Sequence, residues 1–148
     1  MKKDRISRQI QIDADPHRVW EALSDPASFG QWFCVTLDGP FIVGQTTTGT
    51  MTYPGCEGLR WTSVTEVMEP PARLVLRWPD LAPGEDVGSE TVWLAVEFSL
   101  RPRDGGTLVT VTETGFAALP EDRHASMLRD NAAGWDIQTV NLKTYVEG

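Results

Sequence analysis

The chain has 148 residues, enough for one domain whose single core buries roughly 68–70% of its unfolded surface. Its net charge of −8 disfavours nucleic acid as a partner, because phosphate binding needs a basic face. No apolar run approaches the roughly 18 residues of a membrane span, and MKKDRISRQI has no apolar stretch behind its basic start, so neither membrane insertion nor a secretory signal is expected.

RISRQIQI, residues 5–12, puts Ile6, Ile10 and Ile12 on one parity with Arg8 as the exception, which predicts a strand with one buried face. The cations around it, Lys2, Lys3, Arg5 and Arg8, read as a solvated edge. Asp15-Pro16 then predicts a helix start, with Asp as N-cap and Pro in the first turn. Asp25-Pro26 repeats the signal, ending one short helix and opening another, since Pro disfavours helical conformation in the residue before it. Val19, Trp20 and Leu23 form the first apolar face, and Phe29, Trp32 and Phe33 the second. Helices this short are unstable alone and must lean on something.

From residue 35 to 116 the pattern is strand after strand, about six of them, divided by turn residues such as Asp38-Gly39-Pro40, Pro54-Gly55 and Pro70-Pro71. Leu74, Leu76 and Trp78 alternate with outward Arg73 and Arg77. DLAPGEDVGSE, 80–90, reads as an acidic loop. Val92, Leu94, Val96, Phe98 and Leu100 share a face, as do Val109, Val111 and Glu113 after the Asp-Gly-Gly turn. Parity in residues 59–70 is ambiguous, because Val64 and Val67 point opposite ways. From Pro120 to Val146 the period becomes helical, through Leu128, Ala132, Trp135, Leu142 and Val146, with Met127 and Ile137 flanking the stripe. Gly134 in mid-helix costs about 1 kcal/mol relative to Ala, so a bend or a close approach is expected there.

The expected fold class is α+β: one antiparallel sheet of about six or seven strands, two short helices after the first strand, and a long C-terminal helix. Seven strands at about 4.8 Å span about 30 Å, whereas a helix is about 10 Å wide, so one helix covers the sheet only if the sheet curls around it. The Asp-Pro helices then plug one end of the groove. IxIDADPHRVWEALSDPASFGQWF, EVMEPPARLVLRW, GTLVTVTETGF and GWDIQTVNLKTYVEG, in that order over nearly the whole chain, resemble the SRPBCC superfamily with the helix-grip fold of START and Bet v-type proteins. They are similar in particular to the branch named for activators of the heat-shock-protein-90 ATPase. The resemblance implies a β-α-α-β6-α arrangement, a single domain over residues 1–148 and a cavity between sheet and C-terminal helix. It also implies a small apolar ligand of lipid, polyketide or aromatic type. A few relatives are cyclases or hydrolases, and the branch name brings in a chaperone partner as an alternative.

The residues expected at the ligand are Trp32, Phe41, Met51, Tyr53, Trp61, Trp78, Phe98, Glu113, Phe116, Met127 and Trp135. Aromatic walls with few polar groups are what such a pocket needs. Trp20 reads as a core anchor. Glu113 has inward parity, so it is either a polar anchor or acid/base group in the cavity, or it lies near solvent at the strand end, or it pairs with Arg8. His17 and His124 fall in first turns of helices and read as surface. No nucleophile–histidine pattern, metal-ligand spacing or phosphate loop is present, so no catalytic residue, metal or cofactor is assigned. Cys34 and Cys56 lack CxxC spacing and read as free thiols of a cytoplasmic chain, monomeric or weakly dimeric, with Cys56 beside the pocket mouth. Binding of the apolar ligand is the leading expectation. The rivals are a cyclase or dehydratase using a cavity carboxylate, and an interaction module with a filled interior and an exposed Trp93 on the convex face.

Overall fold

The first strand, β1 (Arg5–Ile12), buries Ile6 and Ile12. The computed structural model describes residues 2–82 and 84–148; Pro83, within the expected acidic loop, lies outside them. Helix α1 (Pro16–Ser24) starts on Asp15, whose carboxylate accepts from the backbone N–H groups of His17 and Arg18 at 2.9 and 3.1 Å. Asp25 works at two helices. Its backbone N–H bonds to Glu21 O at 2.9 Å to close α1, and its side chain accepts from Ser28 N at 2.9 Å to open α2 (Pro26–Phe33). The chain leaves α2 through Cys34 at φ 70° and comes straight back past the helix. A Cβ on Gly30 would stand 2.3 Å from Val35 O, so only glycine lets strand and helix pass this closely.

Six strands follow: β2 (Val35–Leu37), β3 (Thr46–Met51), β4 (Arg60–Glu69), β5 (Arg73–Pro79), β6 (Trp93–Arg103) and β7 (Gly106–Thr114). They join β1 in one antiparallel sheet ordered β1-β7-β6-β5-β4-β3-β2. The ambiguous parity of β4 has a physical cause. The register shifts between Thr65 and Val67, leaving Glu66 as the extra residue of a bulge, with a carboxylate oxygen 2.7 Å from Arg77 Nε. Trp93 has the outward parity expected, but it is only half-buried rather than bare, because the Arg77 guanidinium lies 5.4 Å from its ring centroid.

The last helix, α3 (Glu121–Glu147), carries Glu121 and Asp122 in its first turn, where the helix dipole favours acids. At 1.5 Å per residue its 27 residues run about 40 Å. It buries Trp135, Gln138, Thr139, Leu142 and Val146 and packs against β1, α1 and α2 rather than across the middle of the sheet. Polar clips hold it there: Arg18 Nη2 to Val146 O at 3.0 Å, Lys143 Nζ to Gln11 O at 2.8 Å, and Gln138 Nε2 to Phe33 O at 2.8 Å. Arg8 belongs to this set, with Nε 2.6 Å from Asp136 Oδ1. It is therefore not the partner of Glu113.

The core lies between α1, α2 and the inner face of the sheet, its central strands included. Phe29, Leu23, Leu74, Leu76, Phe98 and Phe116 are fully buried there. Phe29 is ringed by Trp32, Phe33 and Phe41 at centroid distances of 5.0, 4.9 and 5.2 Å. Trp32 donates its indole N–H to Ala22 O at 2.8 Å, tying α2 to α1.

Candidate functional site

Because α3 sits toward the β1 edge, the strands on the other side are left uncovered at their ends. A cleft of about 600 Å3 remains between α3 and strands β3, β4, β5 and β7, with Phe33 of α2 at one end. The helices after the first strand therefore close the groove as expected, but through Phe33 and not Trp32. Of the residues expected at a ligand, Met51, Tyr53, Trp61, Trp78, Glu113 and Trp135 line the cleft. The remaining five lie elsewhere. Trp32, Phe41, Phe98 and Phe116 are packed in the core at 3% exposure or less, and Met127 is half-buried against that core. Cys56 lines the mouth and is half-buried rather than open.

The aromatic wall has defined geometry. Trp78 from β5 and Trp135 from α3 lie nearly parallel, 13° apart with centroids at 6.1 Å. Trp61 from β4 meets Trp78 at 6.0 Å and 65°, and Phe33 meets Trp61 and Trp78 at 6.0 Å each. These are the edge-on and offset arrangements that the aromatic quadrupole favours.

Glu113 lies at the floor, 1% exposed, between Ile6 of β1 and Val96 of β6 in the sheet register. Its inward parity holds because β7 runs without a bulge through this stretch. Trp135 Nε1 donates to Oε1 at 2.9 Å and Trp78 Nε1 to Oε2 at 3.0 Å. Asn131 Nδ2 lies 3.3 Å from both oxygens. Among the described residues no cation pairs with it. Burial pushes the Glu113 carboxyl above its ordinary range. The indole and amide donors pull it back, and the charge of Asp80 pushes it up again. Asp80 is itself raised by burial, against the pull of Arg123 at 2.8 Å, and this ion pair ties the loop after β5 to the start of α3.

Three further residues shape the cleft: Asn131, Gly134 and Gln138, all from α3. Gly134 is a regular helical position, and a Cβ built there would touch nothing within 4 Å, so the glycine keeps one turn of the wall open. Neither the bend nor the close approach expected at this mid-helix glycine is found. Asn131 carried no signal, since one polar residue on an amphipathic helix looks like any solvated position. His17 is exposed, and His124 Nε2 lies 2.7 Å from Lys3 O, so neither ring reaches the cleft. Among the described residues no cluster of His, Cys, Asp or Glu is arranged to hold a metal ion, and no helix is long and apolar enough to cross a membrane. Chemically the site offers an apolar slot with one carboxylate at its base.

Similar proteins bear on this geometry. Among solved structures, DynU16, from the dynemicin biosynthetic locus, is 26% identical with a TM-score of 0.75; the match covers 98% of this chain and 48% of that one. The chain thus spans about half the length of DynU16. Protein MLL2253 from Mesorhizobium loti is 20% identical with a TM-score of 0.78, covering 97% and 96% of the two chains. The Aha1 dimer from Colwellia psychrerythraea is 16% identical with a TM-score of 0.74, also covering 97% and 96%. At these identities the last two show the fold alone. No curated protein matches the chain. The family described as Activator of Hsp90 ATPase homolog 1-like protein matches residues 13–147, nearly the whole sheet and all of α3, and to that family the chain belongs.

Proposed function

We propose that the protein binds a small apolar ligand, aromatic or acyl in body, in the cleft between α3 and the sheet. The observation that carries this is the open volume of about 600 Å3 walled by Trp61, Trp78, Trp135 and Met51. Ligand pockets commonly measure about 300–1,000 Å3 and combine apolar walls with a few placed polar groups. At about 25 cal/mol per Å2, covering some 200 Å2 of apolar surface supplies about 5 kcal/mol before the cost of association is deducted. The rims around Tyr53 and Leu81, on Gly- and Pro-rich loops, are where the cleft adjusts. DynU16 stands in a biosynthetic locus, which agrees with small-molecule handling without naming a ligand.

The two free cysteines agree with a reducing compartment, the cytoplasm. The assembly expected is a monomer or weak homodimer.

The test is tryptophan fluorescence against a panel of aromatic and acyl compounds, with native mass spectrometry on gently purified protein. Three of the six indoles border the cleft, so a bound ligand changes their emission. Silence across the panel, with no co-purified mass, removes the proposal.

One observation favours a second reading. A buried carboxylate held above its ordinary range is what a cyclase or dehydratase uses as acid/base. Glu113→Gln separates the two, since an enzyme loses turnover while keeping binding and a binder shows only altered affinity. A chaperone-side interaction module predicts a filled interior and a bare Trp93. The open cleft and Arg77 lying over Trp93 both count against it.

A further inference from the structure

Glu113 is a buried acceptor with three donor groups and, among the described residues, no cation. The two indole bonds, at 2.9 and 3.0 Å, are well formed. The third is different: one Asn131 nitrogen is stretched between both oxygens at 3.3 Å, the long end for such a bond. Asn131 is only half-buried and lines the cleft, so it is the partner a ligand can replace. The two indoles can only donate, one to each oxygen, and the Asn131 amide presents its N–H side to both. The arrangement is shaped for the ionised carboxylate despite its burial. A buried carboxylate without a counter-charge is costly, and a ligand cation would relieve it.

The rest of the cleft has the same sign. Trp61, Trp78 and Trp135 line it with indoles, whose ring faces attract cations, and Asp130, 3.5 Å from Arg129, is a second carboxylate on the lining. Among the described residues the one cationic side chain on the lining, Arg60, is exposed and turned to Asp38, 3.5 Å away. An acid entering carboxylate-first would set a second carboxylate against Glu113.

Taking the cleft as the ligand site, we propose that the ligand's polar end is a protonated amine. It takes the place of the Asn131 amide against Glu113 and lies among the indoles of Trp61, Trp78 and Trp135. The class is an arylalkyl or aliphatic primary amine, and a carboxylate cannot take its place against Glu113.

Three probes sharing one body test this: 2-naphthylmethylamine, 2-naphthylmethanol and 2-naphthoate, titrated calorimetrically into the full chain at neutral pH. The amine binds about tenfold or more tighter than the alcohol, as a charge-assisted bond to a buried carboxylate implies, and the acid binds weakest. Glu113→Gln abolishes the amine's advantage over the alcohol, whatever it does to the alcohol itself. Asn131→Ala keeps or raises amine affinity, because the exchanged bond is already gone. If the alcohol or the acid binds as well as the amine, the proposal is overturned while the cleft stands as a ligand site. If no probe binds, the cleft reading falls and the amine falls with it. If Asn131→Ala loses amine affinity about tenfold, the exchange is wrong. Should Glu113→Gln fail to fold by circular dichroism, the wild-type ranking of the three probes decides alone.

Discussion

Replacing Gly134 by alanine is expected to make the protein more stable and its cleft smaller. The residue sits in the interior of a 27-residue helix with regular helical backbone, and a Cβ there meets nothing within 4 Å. With no clash to set against it, the change is governed by helix propensity, about 0.8–1 kcal/mol in favour of alanine. For a chain of 148 residues the unfolding entropy at the midpoint is about 0.3 kcal/mol/K, so the melting temperature rises by about 3 °C. Differential scanning calorimetry reads this directly. The companion variant Gly134→Leu projects a branched side chain into the same open space and is expected to lower affinity for an apolar ligand without unfolding the protein. Together the two variants would show stability given up to keep a wall of the cleft open. A melting temperature that stays level or falls for Gly134→Ala would refute the reasoning, because it would mean that the glycine serves the backbone and not the space beside it.

Gly30 predicts the opposite. Its added Cβ would stand 2.3 Å from the Val35 carbonyl oxygen, so Gly30→Ala is expected to destabilise by about 1–3 kcal/mol or more in urea unfolding. Trp32 and Trp135 separate core from cleft. Trp32→Phe loses the bond to Ala22 O and should lower stability with ligand response intact, whereas Trp135→Phe removes a donor to Glu113 and should weaken the ligand response itself. Glu113 predicts a pH slope. Its folded-state pKa is raised above the ordinary 4.5, so the folded chain holds that proton longer than the unfolded chain does. Stability from this group is therefore present below 4.5, lost as pH rises from there through the folded-state value, and level beyond it. Unfolding of wild type and Glu113→Gln across that window should diverge in slope, and parallel curves would contradict the assignment.

How far residues alone could go depended on what each pattern reports. Alternation in β7 placed Glu113 inside correctly, because no bulge interrupts that strand, whereas β4 resisted the same treatment because Glu66 is an inserted residue. Asp15 and Asp25 marked both short helices because a cap is a local hydrogen bond that needs no tertiary context. Parity separates inward from outward, but it does not separate core from cleft. Phe98 and Trp78 both face inward; one is sealed at 0% exposure and the other borders open space. The difference is set by where α3 crosses, toward β1, and that follows from contacts between residues far apart in the chain, such as Arg8 with Asp136. Arg8 was for the same reason free to be mistaken for the partner of Glu113.

The most direct measurement is a nitrogen–proton correlation spectrum of the indole resonances, one for each of the six tryptophans. Titrating a naphthyl-bodied probe should shift the signals of Trp61, Trp78 and Trp135 and leave those of Trp20 and Trp32 in place. Shifts at Trp20 or Trp32, or none at all with a probe that demonstrably binds, would contradict a ligand seated between α3 and the sheet.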